Sequence, residues 1–529
     1  MSKPLIHIAI LAAIGSAPVS VLAAPAATDT ERAAAAEEQK RLGSLYVRCD
    51  GEPNNMTGAE SFARIMGAVT LLGLFAPSPE AADPAKRLFA EKGVDACTQL
   101  LDNPKQETNG MRRIPLILAR ALHQIEARNH QAALADVEKA RGEATALGLT
   151  QNSYFAHTMG LSFNVIAAEA KLRMGDGGGA RQAGLTDQAR MPYSHYATIA
   201  ARPFAANNRD LSAEEERYWQ TGQKIAPGML FGHAVRLEEV GRFAEAAELR
   251  EALITLLGAI DTSGKDSSAM AQAAITHALA GHWDKAAGRA DEARSNMTAL
   301  ADSGKPENDQ PSVIELLDFH QLLQLMRDGK IDEARRNFAA RSQWSAPGLG
   351  AVMAVNTQLR QGAKPEQIFG ALAKMPDQLW EERRSQLLAQ RLEWDKNNRT
   401  LFTYILPYAR ISSFENLSKD IWRTDKPRLI TKEPMKDSKF YFAFVNADAM
   451  TQPDALMLTA AVQAKAKGFP GFVYIGFPKE PSRAMIQFGK PDDPDIAKPL
   501  YLDADAVIAE LSQLIPSPAE LDARRKAKR

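Results

Sequence analysis

One short signature constrains this chain more than any other feature. It returns five times: Arg128-Asn-His130-Gln-Ala-Ala133, Gly175-Asp-Gly177-Gly-Gly-Ala180, Gly241-Arg-Phe243-Ala-Glu-Ala246, Gly281-His-Trp283-Asp-Lys-Ala286 and Gly329-Lys-Ile331-Asp-Glu-Ala334. Each copy follows an apolar helical segment and opens another, which is the physics of a helix hairpin. Glycine heads four of the five and permits the left-handed residue that ends the first helix. Where the residue two places on is bulky it can plug the hairpin, and the alanine lets the paired helices approach closely. From about Glu31 to about Gln390 apolar residues recur at three- and four-residue spacing. Leu118, Leu122 and Ile125 do so, with Arg120, Gln124 and Glu126 on the polar face. The predicted fold class is mainly α.

The signature resembles the turn of the tetratricopeptide repeat, Gly-x-aromatic-x-x-Ala within a period of ~34 residues. Gly241, Phe243 and Ala246 match best, together with Gly281, Trp283 and Ala286; Gly329, Ile331 and Ala334 follow with Ile at the aromatic position. The alanines stand 47, 66, 40 and 48 residues apart, and the family's Trp, second Gly and closing Pro are mostly missing. The resemblance implies a degenerate tetratricopeptide-like α-solenoid over 111–397, with lengthened helices and insertions. The competing expectation is an irregular helical domain whose hairpins share turn chemistry by chance.

Composition shifts near Asn397. Residues 401–515 hold 15 of the 36 aromatics, and strand-like runs appear at Phe440–Val445, Gly471–Ile475 and Ala484–Phe488. Between the first two, Asp454–Lys467 has helix signals: Thr451 and Asp454 at capping-box spacing, Pro453 in the first turn and Gly468 at the end. A second helix, Ala504–Leu514, stops at Pro516. The order strand–helix–strand–strand–helix predicts a small α/β (α+β) domain over 398–515. The runs FYFAFVN, LTAAVQAKAKGF and GFVYIGF also resemble a small domain of uncharacterised proteobacterial exported lipoproteins, a likeness that lends no chemistry.

The N-terminus predicts the compartment. Lys3 precedes an uncharged stretch with an apolar heart, Leu5–Ile14, and Val21-Leu22-Ala23 supplies small residues for cleavage. That order reads as a signal peptide over 1–23. Its solid apolar run is shorter than the ~20 residues of a spanning helix, and no Cys marks a lipoprotein. Ile65–Ala76 is twelve residues long and fits a buried helix. No integral membrane segment is expected after cleavage, and the localisation is periplasmic or secreted. In an oxidising compartment Cys49 and Cys97 are expected to form a disulfide closing a helical segment over 24–110. The rival, a redox pair, would favour the CxxC spacing that is absent.

A search for chemistry returns little. Lys+Arg and Asp+Glu are 64 each, so no electrostatic case exists for nucleic acid or an anionic surface. Gly175–Ala180 satisfies GxGxxA, but a helix rather than a strand delivers the chain to it. Gly258 and Gly264-Lys265 miss phosphate-loop spacing by one residue, and Asp266 stands where Ser or Thr should bind magnesium. None of the nine His forms a zinc motif; His277 and His282 are five apart and off a common helix face. No His follows 320 and no Cys follows 97, so the C-terminal domain alone cannot host a Ser-His-Asp triad or a Cys-His pair. Asp492, Asp493 and Asp495 read as a solvated turn, and the basic tail, 516–529, as a frayed, solubilising end.

These residues predict an exported scaffold that binds a protein or peptide partner in the cell envelope. No enzyme activity, cofactor, metal or nucleic acid is expected. The alternative is a cell-envelope hydrolase using carboxylates in a cleft between the repeat array and the C-terminal domain.

Overall fold

A computed structural model describes residues 42–54, 80–103, 107–205, 209–260, 266–408, 415–436, 438–445, 452–477 and 480–527. The signal segment and Ile65–Ala76 lie outside them. The chain is mainly helical and closes with a small antiparallel sheet. No described helix is long and apolar enough to cross a membrane.

Helices stack in antiparallel pairs from Gly110 to Arg360. Each of the five signature copies lies between two helices: Gly110–Glu126 with His130–Ala146, Leu161–Arg173 with Gly177–Arg190, Met229–Glu239 with Phe243–Ile260, Ser267–Leu279 with Trp283–Asp302, and Gln310–Arg327 with Ile331–Ala339. The residue heading each copy is left-handed, with φ of 64° at Arg128, 83° at Gly175, 79° at Gly241, 81° at Gly281 and 75° at Gly329. A Cβ on any of these four glycines would meet nothing within 4 Å, so backbone conformation alone asks for glycine. The alanines Ala133, Ala180, Ala246, Ala286 and Ala334 are all fully buried. Asp266, the residue in the rejected phosphate loop, caps Ser267–Leu279 by accepting the N–H of Ala269.

At the N-terminal end, Cys49 and Cys97 sit at disulfide distance in a core with Leu100, Ile114, Ile117 and Leu122. The pair is compatible with an oxidising compartment. His123, fully buried beside it, faces the carbonyl of Cys49 at 2.8 Å and Glu126 at 2.9 Å.

After Arg360 the chain turns back. Helix Pro376–Asn398, 23 residues and thus about 34 Å long, runs across the stacked hairpins from the last toward the first. Asp377 at its start pairs with Arg209, and Asp395 near its end accepts from Arg173 at 3.1 Å. Beyond it, Leu401 and Phe402 enter the N-terminal core, and Arg399 donates to the carbonyl oxygens of Arg87 and Leu88. This crossing helix ties the two ends of the array together.

The C-terminal strands are β1 (Tyr441–Phe444), β2 (Gly471–Phe477), β3 (Glu480–Gly489) and β4 (Tyr501–Asp503), in the order β1-β3-β2-β4 and all antiparallel. The three-residue β4 escaped the sequence pattern. Phe472 and Tyr474 turn to helices Gln452–Ala466 and Ala504–Leu511, while Val473 and Ile475 turn the other way onto Leu230, Leu237 and Leu249 of the array. Alternation therefore buries both faces of β2, and the sheet is a layer clamped between its own helices and the array.

Two expectations need correction. The tail is no frayed end: Pro518–Ala527 is helical, Leu521 is buried, and Arg525 pairs with Glu415 at 2.9 Å. The capping box of Thr451 and Asp454 lies outside the described residues at Thr451; the Asp454 carboxylate accepts the N–H of His195 at 2.9 Å. His277 and His282 do meet, with Nδ1 atoms 3.4 Å apart, because a turn and not a continuous helix separates them.

Candidate functional site

A cleft of about 340 Å³ opens between the crossing helix and the inner surface of the hairpins. The crossing helix contributes Trp380, Arg383, Arg384, Leu387, Leu388 and Arg391. Their spacing of three, one, three, one and three is one face of a 3.6-residue helix. That stripe is readable in the sequence, but its mixture of Arg and Leu matches neither a plain core face nor a plain solvent face.

The opposite wall is built on Trp219, Val235, Arg236 and Leu349, with Gly175 and Gly177 of a hairpin turn at one end. Trp219 is fixed on three sides. Its Nε1–H donates to Glu215 at 3.2 Å, its ring stacks with that of His233, and Gly232 leaves room for it, since a Cβ there would lie 2.9 Å from the indole. Arg236 donates to the same fully buried Glu215 at 2.7 Å, pairs with Glu239, and places its guanidinium 5.8 Å from the Trp380 ring centre. Burial pushes the Glu239 carboxyl above the usual carboxylate range, against the pull of Arg236.

At the far end Arg391 pairs with the fully buried Glu169, donates to Tyr404 Oη at 3.2 Å and lies over the Phe204 ring. Burial raises the Glu169 carboxyl despite Arg391 and Arg173. Two of the four lining arginines thus already serve buried carboxylates. Arg383 and Arg384 are exposed and form no ion pair among the described residues. The cleft therefore joins an apolar, indole-walled floor to two uncommitted cations, with Leu387 half exposed at its rim.

The residues singled out from sequence lie elsewhere. Gly241 and Phe243 border a neighbouring depression with Arg209 and Gly350. Trp283 lies under Arg327 at 4.9 Å, and Ile331 joins Ala286 and Ala334 in the distal core. The Cys49–Cys97 pair is buried in the N-terminal core. Gly281 and Gly329 shape turns. All of these residues belong to the framework, and only the Gly175 turn reaches the cleft.

A second cluster joins array and module. Asp454 is almost fully buried; besides holding the His195 N–H, its Oδ2 lies 3.8 Å from His157 Nδ1. Glu510 accepts the Tyr193 N–H at 3.0 Å. Two module carboxylates thus grip the array backbone two residues apart. Burial, with the Asp454 charge adding to it, raises Glu510 to about 7, against the Tyr193 hydrogen bond. Asp492, Asp493 and Asp495 form a turn in which Asp493 accepts the Lys490 N–H and Asp495 pairs with Lys439. Among the described residues no three His, Cys, Asp or Glu side chains gather as a metal-binding group.

No protein-family model, curated protein or solved structure matches this chain.

Proposed function

We propose that this chain is an exported binding protein of the bacterial cell envelope, periplasmic or secreted, whose stacked tetratricopeptide-like hairpins hold a protein or peptide partner. The observation that carries the reading is the cleft under the crossing helix. It combines buried indoles, an exposed apolar rim and arginines, the residue types that anchor protein partners. The mechanism is recognition without covalent chemistry. The test places a photoreactive amino acid at Leu387 and, as a control, at Glu366, away from the cleft. Crosslinking in the native envelope should capture a defined partner from Leu387 alone; equal capture from both positions, or none, counts against the proposal.

The hydrolase reading would draw on Asp454 and Glu510, the carboxylates that meet between array and module. Each holds a backbone N–H of the array, and Asp454 is closed off from solvent. Such groups suit a clamp better than an acid–base pair, which must reach substrate.

A further inference from the structure

We infer that the cleft under the crossing helix receives an acidic, apolar peptide segment, seating one large apolar side chain between Trp219 and Trp380 and a carboxylate against Arg383 and Arg384. The inference rests on the binding reading above and specifies the chemistry of the partner.

Three features select that chemistry. The first is the division of labour among the arginines. Arg236 and Arg391 are held by Glu215 and Glu169, both fully buried, so drawing either guanidinium onto a ligand would take a close ion-pair partner from a buried carboxylate. Arg383 and Arg384 carry no such obligation. A neutral ligand laid over them would strip water from two unpaired cations, and a basic one would be repelled. A carboxylate supplies the missing partner in the forked geometry that guanidinium favours.

The second feature is the floor. The Trp219 and Trp380 side chains are pre-set before any ligand arrives, Trp219 by Glu215, His233 and Gly232, and Trp380 beside Arg236. Little ordering entropy is left for binding to supply.

The third is size and shape. At about 340 Å³ the cavity stands at the small end of ligand pockets, with room for a side chain or two. Its rim is open and carries half-exposed Leu387, so the remainder of a longer chain can lie outside along the crossing helix.

The experiment measures fluorescence anisotropy of the full chain with a fluorescein-labelled peptide alternating Asp with Phe and Leu. A sister peptide has Lys for each Asp, and dodecanoate serves as competitor. Saturable binding of the acidic peptide is expected, with the basic peptide clearly weaker. Arg383→Ala and Arg384→Ala should each weaken the acidic peptide by roughly tenfold, the loss of one charged hydrogen-bonded contact. The double reversal Arg383→Glu/Arg384→Glu should turn the preference toward the basic peptide. Both arginines are exposed, so melting temperature should hold and serves as the folding control. Equal affinity for the two peptides, or affinity indifferent to both arginines, overturns the inference. So does charge-independent peptide binding that dodecanoate abolishes, which would assign the cleft to an acyl amphiphile. If crosslinking from Leu387 captures a partner whose capture ignores the Arg383 and Arg384 variants, the binding reading stands and the acidic assignment falls. If neither crosslinking nor the peptide gives binding, both fall.

Discussion

The carboxylate of Glu510 accepts the backbone N–H of Tyr193 at 3.0 Å, across 317 positions of chain, while half-buried beside Asp454. Its folded value of about 7 stands above the ordinary 4.5, so between those limits the folded form binds more protons than the unfolded one. The stability gained by protonating it is complete below about 4.5 and is lost as pH rises through 7.

Against a form that cannot titrate at this position, the parent should therefore gain roughly 1 kcal/mol as pH falls from 8 to 6, while buried histidines such as His195 and His233, held below their ordinary value, pull the other way. Glu510→Gln keeps an oxygen for the Tyr193 N–H and removes the titration. In thermal melts across this range the parent should gain on that variant as pH falls; parallel pH profiles would locate the titration elsewhere.

The cysteine pair closes a loop with a sequence separation of 48. On the chain-entropy estimate, opening it costs roughly 4 kcal/mol. Cys49→Ser/Cys97→Ser should lower the denaturation midpoint and speed proteolysis within 80–103. The distal helices Gln310–Arg327 and Ile331–Ala339, which share no core with it, should keep their hydrogen-exchange protection.

The hairpin turns offer an internal control on glycine. Gly241→Ala places a Cβ in open space yet in a left-handed backbone, and should destabilise by roughly 1–2 kcal/mol. Arg128 already bears that strain at φ 64°. Arg128→Gly should stabilise by about 0.5–1 kcal/mol in denaturant titrations, since the relieved strain exceeds the added entropy of the unfolded chain.

Ile475 projects from the sheet into the array among Leu230, Leu237 and Leu249. Ile475→Ala should cost roughly 2–5 kcal/mol. Removing the whole of 398–529 would bare those leucines and Ala234 at once. The truncated chain should bind a hydrophobic dye and aggregate, so a clean test of partner binding must use point variants in the full chain.

Local features were the legible part of this fold. The turns at Gly241, Gly281 and Gly329 need a left-handed residue, and the helix Gln452–Ala466 ends where Gly468 adopts φ 79°. Such features depend on neighbours within one or two helical turns. What escaped depends on partners far along the chain. Val473 and Ile475 read as strand, but nothing in their pattern says that a helix at Met229–Glu239 covers them. The geometry of one continuous helix would keep His277 and His282 apart, while Gly281 at φ 81° folds one back onto the other. The cleft was the least legible, because Trp219 and Arg236 lie far along the chain from Trp380 and meet it only when Pro376–Asn398 crosses. A period-of-3.6 stripe mixing Trp, Arg and Leu is the signal that could have exposed it.

The crossing helix also limits how such a chain can evolve. An open stack of hairpins has two loose ends, and a unit can be duplicated or dropped with little effect beyond its neighbours. Here Asp377 and Asp395 are fastened to Arg209 and Arg173, and Leu401 and Phe402 are anchored beyond them. A strut of set length spans the middle of the stack. Inserting or deleting helices between those anchor points would leave the strut too short or too long, so the spacing of the units beneath it is fixed. The array is a closed circuit rather than an extensible spring, and its variation should come from substitution instead of repeat gain or loss.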